Sequence, residues 1–88
     1  MKKARDAAVA LQYNDGDAAP KVTAKGFGRT AEKIRELAEQ YGIPIRQDSD
    51  LVELLAELDI DKEIPTQLYA AVAEVLAMVY KANNAVME

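Results

Sequence analysis

This sequence predicts a small α/β domain: a mixed sheet of three or more strands flanked by three helices. Three observations lead there. Residues 7–13 and 21–25 read as short extended runs, the first with its large side chains on alternate positions. Three later stretches repeat apolar residues every three or four positions, the period of a helix. The length of 88 residues leaves room for one domain with one thin core. Half of the residues are apolar and 30% are charged, a balance that suits a folded globular chain rather than a disordered one. The expected organisation is a single domain over residues 1–88, with 1–6 and 83–88 as flexible ends.

The elements follow in order. Ala7 to Tyr13 reads as a strand with Val9, Leu11 and Tyr13 on one face. Ala8 and Ala10 are small enough to be covered on the other. Asn14-Asp15-Gly16-Asp17 is a turn, because Asn, Asp and Gly tolerate positive φ. Pro20 then fixes an extended entry to a second strand, Lys21 to Lys25, and the two strands form a hairpin. Gly26-Phe27-Gly28 ends that strand. A helix over Arg29 to Tyr41 presents Ala31, Ile34, Leu37, Ala38 and Tyr41 inward, with Gly42 as its C-terminal cap. Ile43 to Arg46 is a third strand, so strand, helix and strand suggest a right-handed crossover with a parallel pair. Asp48-Ser49-Asp50 offers caps for a second helix, and Asp50 with Glu53 matches a capping box. Its apolar stripe is Leu51, Leu54, Leu55 and Leu58. After a polar link at 59–63, Pro65 suits the first turn of a last helix that runs to Ala82. Leu68, Val72, Val75, Leu76 and Val79 face the core there, flanked by Tyr69, Ala73 and Tyr80.

The absences exclude whole classes of chemistry. With no Cys there is no disulfide framework, thiol nucleophile or thiolate metal site. With no His, the commonest general base and metal ligand is missing. No apolar run approaches the roughly 18 residues of a membrane span, and no signal-type stretch follows the basic start, so a cytoplasmic location is expected. The net charge is −4 but uneven: residues 1–46 hold nine Lys/Arg against six Asp/Glu, and residues 47–88 hold two against nine. Asp48, Asp50, Glu53, Glu57, Asp59, Asp61 and Glu63 read either as a solvated helix face with its loops or as a surface for a basic partner. The overall acidity argues against nucleic acid.

Candidate chemistry is sparse. Ser49 is the single serine, and helix capping accounts for it better than nucleophilic catalysis. Lys25-Gly26-Phe27-Gly28-Arg29 combines two glycines, two cations and a helix start, which are features of an anion site. It lacks the spacing of a phosphate-binding fingerprint, and a tight strand-to-helix turn explains it as well. Lys21, Lys25 and Arg29 are thus the alternative reading, a weak anion or RNA site. An exposed Phe27 would favour it and a buried one would end it. No enzyme, cofactor or small-molecule site is implied.

Three stretches together go further. Ala8-Val9-Ala10-Leu11-Gln12-Tyr13, Ala19-Pro20-Lys21-Val22-Thr23-Ala24-Lys25-Gly26, and Ile64-Pro65-Thr66-Gln67-Leu68-Tyr69-Ala70-Ala71-Val72-Ala73-Glu74-Val75-Leu76-Ala77 resemble the cytoplasmic domain of the FlhB/YscU family. These are the switch proteins of flagellar and type III secretion export. The resemblance implies the fold of that cytoplasmic domain and a non-enzymatic role in protein export. Its partners would be components of the export apparatus and export substrates. One departure matters. The family's Asn-Pro-Thr-His autocleavage tetrapeptide aligns with Lys3, Ala4, Arg5 and Asp6, and none of its residues is kept. The three prolines follow Ala19, Ile43 and Ile64, so no Asn-Pro bond exists and the chain is expected not to cleave itself. It looks like a free-standing counterpart of the family's released C-terminal fragment, without the membrane half. A soluble adaptor outside export is the other reading. The resemblance also implies a docking patch at Ala19, Pro20, Ala73 and Leu76, where small side chains leave a shallow groove. The competing reading makes Ala73 and Leu76 plain core residues.

Overall fold

The computed structural model describes residues 6–88. The elements are β1 (Ala7–Gln12), β2 (Lys21–Phe27), α1 (Arg29–Gln40), β3 (Ile45–Arg46), α2 (Ser49–Ala56), a single 3-10 turn (Thr66–Leu68), α3 (Tyr69–Ala82) and β4 (Asn84–Met87). The strands form one mixed sheet in the order β2-β1-β4-β3. β1 runs antiparallel to β2 and β4, while β3 runs parallel to β4. The class is α/β with three helices, as the sequence predicts.

The sheet separates two cores. Val9, Leu11, Ala85 and Met87 point to the side of α2 and α3, where they meet Leu51, Val52, Leu55, Val72, Val75 and Val79. Ala8 and Val86 point to the other side, against Ala31, Ile34 and Ala38 of α1. This is the period of two that a strand imposes, with both faces covered.

Several expectations are corrected. Residues 84–87 do not fray. They form β4, a central strand in which Ala85, Val86 and Met87 are buried. β2 and β3 point the same way but are not neighbours, because β1 and β4 lie between them. The parallel pair of the sheet is β3 with β4. Leu37 is 40% exposed and Tyr41 is 74% exposed. Leu37 sits at the margin of the narrow stripe centred on Ala31, Ile34 and Ala38, and Tyr41 lies past the last helical residue as its cap. On α2 the buried face is Leu51, Val52 and Leu55, so Leu54 turns outward. Asp48, not Asp50, caps that helix: its side chain accepts from the Leu51 N–H at 3.1 Å. Pro65 precedes the 3-10 turn rather than opening α3.

Local chemistry explains the connections. In the hairpin turn Asp17 N–H donates to Asn14 O at 3.0 Å, Asn14 N–H donates to the Asp17 carboxylate at 2.9 Å, and Gly16 has φ 89°. Residues 61–64 lie along the outer edge of β2. Val22 N–H donates to Lys62 O at 3.0 Å, and Ile64 N–H donates to Pro20 O at 2.8 Å. This covers part of an edge that would otherwise invite pairing.

Met1, Lys2, Lys3, Ala4 and Arg5, with the expectations placed on them, lie outside the described residues. Asp6, expected in a flexible end, is held. Its carboxylate receives two hydrogen bonds of 2.8 Å from the Arg35 guanidinium, and its carbonyl accepts the Gly28 N–H at 2.8 Å. Arg35 also reaches Glu88 through Nε at 3.1 Å. One side chain of α1 thus ties the start of β1 to the residue after β4.

Two tests follow from this packing. A Cβ on Gly26 would stand 2.1 Å from Thr30 Cγ2 and 2.5 Å from Thr30 Cβ, and a rotamer change cannot move the second. Gly26→Ala should cost about 1–3 kcal/mol in chemical denaturation. Hydrogen bonding from Arg35 holds the Asp6 carboxyl below its ordinary value of 3.8. The stabilisation is present above that value and is lost as pH falls through the lower folded-state value. Asp6→Asn should therefore be less stable than wild type at neutral pH, and the gap should close in acid melts below pH 3.8.

Candidate functional site

The residues singled out from the sequence differ in burial. Ala19 is 6% exposed and Pro20 is buried, at the corner where the hairpin connection enters β2. Ala73 is exposed, and Leu76 is half-buried against the larger core. Leu76 is both a core residue and a surface residue.

Tyr13 joins the end of β1 to α3. The register of Gln12 opposite Lys21 carries Tyr13 toward Pro20. Its ring then meets Tyr80 of α3, with centroids 4.4 Å apart and planes at 53°. The two hydroxyls share a hydrogen bond of 3.3 Å. Tilted pairs of this kind add to the burial of the rings. Tyr69, Ala73, Leu76 and Tyr80 repeat at four, three and four residues, so they share one face of α3. That face is half apolar and half hydroxyl-bearing, and Tyr80 is 59% exposed on it. The hydrogen bond with Tyr80 and partial desolvation raise the Tyr13 phenol above its ordinary value of 10.0. The signal for this face in the sequence is the spacing of Tyr69 and Tyr80, about three helical turns apart.

Adjoining that face, and sharing Ala73 with it, lies a cleft of about 260 Å³, lined by Arg46, Asp48, Leu51, Ala70, Ala71, Ala73, Glu74 and Val75. Arg46 of β3 and Glu74 of α3 form an ion pair there. Ligand pockets usually measure about 300–1,000 Å³. This cleft is smaller and suits a side chain of a docked peptide better than a small molecule.

The remaining candidates resolve into structure. Lys25 Nζ donates to Ala56 O at 2.9 Å and to Leu58 O at 2.7 Å, which caps the carbonyl end of α2. One of the three cations of the anion reading is thereby committed. Phe27 is 37% exposed, the outcome that favours the anion reading, while the turn beside it is also explained without a ligand. Gly28 has φ 57° and its N–H goes to Asp6 O, while Gly26 makes room for Thr30. Ser49 is the first residue of α2, next to the Asp48 cap. Among the described residues no three acidic side chains gather as a metal-ligand set. The acidic residues Asp50, Glu53, Glu57, Asp59, Asp61 and Glu63 are exposed.

Comparisons place this geometry among known proteins. A profile described as the FlhB HrpN YscU SpaS family matches residues 4–79. The chain is 44% identical over 80 residues to "Uncharacterized protein YlqH" of Bacillus subtilis (strain 168), covering 90% of this chain and 86% of that protein. It is 50% identical over 76 residues to the flagellar biosynthetic protein FlhB of Yersinia enterocolitica, covering 84% of this chain and 20% of that one. With FlhB of Salmonella typhimurium the figures are 47% over 75 residues, 83% and 20%. The chain therefore spans about a fifth of the FlhB proteins it matches. The crystal structure of the PscU C-terminal domain superposes with a TM-score of 0.75 at 34% identity, covering 84% of this chain and 96% of that one.

The tyrosine contact has a spectroscopic consequence. In a phenolate absorbance titration, wild type should show a tyrosine ionising above 10.0. Tyr80→Phe removes the hydroxyl partner and should bring that ionisation back down. An unchanged titration curve would mean that the two hydroxyls do not interact.

Proposed function

The chain belongs to the FlhB HrpN YscU SpaS family, and from that membership we propose that it acts in flagellar or type III protein export as a docking module, the counterpart of the cytoplasmic C-terminal domain. The fold it shares with the PscU C-terminal domain supports this reading. So do FlhB relatives at about half identity. Among the described residues no helix is long and apolar enough to cross a membrane. The proposed place of action is the cytoplasmic face of the export apparatus.

The observation that carries the docking role is the mixed face of α3. Ala73 is exposed, Leu76 is half-buried and Tyr80 is largely exposed. Tyr13 braces that face from the sheet through its contact with Tyr80. An extended segment of an export substrate, or of an export-gate component, would lay small apolar side chains beside Ala73 and Leu76. The tyrosine hydroxyls would hold its backbone. Little area is buried in such contacts, so binding would be weak and reversible, as a component that must release successive substrates requires.

We further propose that the chain does not cleave itself. Cleavage in the family needs an Asn followed by Pro, and here Asn14, Asn83 and Asn84 precede Asp15, Asn84 and Ala85. Lys3 cannot supply the side-chain amide that attacks the backbone carbonyl.

Two measurements test these readings. In fluorescence anisotropy with labelled N-terminal peptides of export substrates, Ala73→Glu should weaken binding about tenfold or more, since it places a charge against apolar peptide surface. Its melting temperature should stay near that of wild type, because Ala73 is exposed. Leu37→Ser on α1 should leave binding unchanged. Equal weakening by both variants would remove the α3 face as the site. Intact mass after prolonged incubation at neutral pH should show one uncut species. A fragment starting near Ala4 would overturn the non-cleaving reading.

A further inference from the structure

The two outer edges of the sheet differ. Residues 61–64 run along β2 and bond its main chain. β3 has a neighbour, β4, on one side only. On that side Pro44 O accepts from Val86 N–H, Arg46 O accepts from Glu88 N–H, and Asp48 N–H donates to Glu88 O. Main-chain groups alternate in direction along a paired strand, so the N–H and C=O of Ile45 and Gln47 point away from β4. Among the described residues nothing bonds them. Ile45 is half-buried and Gln47 is exposed.

The same edge borders the cleft. The Ile45 side chain packs against the smaller core on the α1 side. By alternation Arg46 and Asp48 stand on the α3 side, where they line the cleft. The cleft has an apolar floor, because Leu51 and Val75 are buried there. Its rim carries two carboxylates and one guanidinium. Glu74 pairs with Arg46, and the Asp48 carboxylate accepts the Leu51 N–H. The rim is therefore acidic on balance, and the exposed Asp50 and Glu53 of α2 extend that sign.

We infer that the outer edge of β3 and the cleft beside it form a strand-addition site for an extended segment of a partner protein, aliphatic at one position and basic around it. The open N–H and C=O groups at two-residue spacing call for another extended main chain. A helix cannot answer them, since its own main-chain groups are bonded internally. In an antiparallel addition, the partner residues opposite Ile45 and Gln47 exchange main-chain bonds with them. The residue opposite Arg46 then turns its side chain to the α3 side, at the mouth of the cleft. The small volume and apolar floor fit one aliphatic side chain. The acidic rim fits lysine or arginine two residues away, on the same face of the added strand. A second copy of this chain would bring the same acidic rim and be repelled. This surface is separate from the tyrosine face of α3 and borders it at Ala73.

The probe is a synthetic peptide, acetyl-Lys-Val-Leu-Val-Lys-Thr-Lys-amide, titrated into the protein and followed by amide NMR. With its leucine opposite Arg46, its two valines stand opposite Ile45 and Gln47. Shifts should appear at Ile45, Gln47, Ala71 and Glu74 by about 1 mM peptide. N-methylation of either valine removes a donor that faces β3 and should weaken binding about tenfold or more. N-methylation of the leucine or of the central lysine touches an N–H that faces water and should leave binding within about twofold. Gln47→Pro removes a donor that β4 does not use, and Ala71→Phe fills the cleft. Each should weaken binding about tenfold or more with a melting temperature near that of wild type, because both residues are exposed. The same peptide with glutamate for every lysine should not bind. If a protein variant fails to fold, the peptide series on wild type decides the matter. The proposal is overturned by an absence of shifts at Ile45 and Gln47, by equal losses from methylating the leucine and the valines, or by unchanged binding of the glutamate peptide.

Discussion

The insertion of β4 between β1 and β3 is the constraint on which the rest of the domain depends. Like β1 it enters both cores, and its pairing makes one sheet of the hairpin on one side and the two-residue β3 on the other. It also sets the direction of α3, because a single left-handed residue separates them. The orientation of the tyrosine face follows from that junction: Asn83 bonds Tyr13, and Tyr13 stacks on Tyr80 one turn back along the helix. Arg35 reinforces the arrangement from the far side by holding Asp6 and Glu88 on either side of its guanidinium. Both of those carboxylates are partly exposed, so the clamp positions the ends of two strands and does not supply the main stability.

Much of the fold was legible because period and punctuation agree in this sequence. β1 alternates large and small residues, and the hairpin turn carries Asn, Asp and Gly at the positions that need them. All three helices show three- and four-residue spacing. Legibility failed where a short segment takes its identity from tertiary context. Asn84-Ala85-Val86-Met87 has no alternation and only one β-branched residue, and nothing local distinguishes it from a fraying end. Its strand character comes from the bare edges of β1 and β3. Leu37 and Leu54 depart from expectation for a related reason. Periodicity gives the width of an apolar stripe but not its centre, and the stripes are centred on Ile34 and Leu55.

The candidate site was legible in a different way. Ala19, Pro20, Ala73 and Leu76 came from family resemblance, not from any property of the residues themselves. The structure gives them different surroundings. Ala19 and Pro20 are buried, Ala73 is exposed, and Leu76 is half-buried against the larger core. Tyr13 and Tyr80 are far apart in sequence, and their contact depends on the fold. Conversely, Lys25 looked like a ligand-binding cation and is a helix cap, because a lysine reaching across the domain cannot be told from a free one without its partners.

The most direct measurement of the central claim is an amide NMR titration of the protein with N-terminal peptides of flagellar rod and hook subunits. The account predicts shifts at Tyr13, Ala73, Leu76 and Tyr80, with smaller ones at Ala19 and Lys21. Shifts that cluster instead on the exposed acidic residues of α2 and the link after it, or no shifts at saturating peptide, would contradict the assignment of docking to the α3 face.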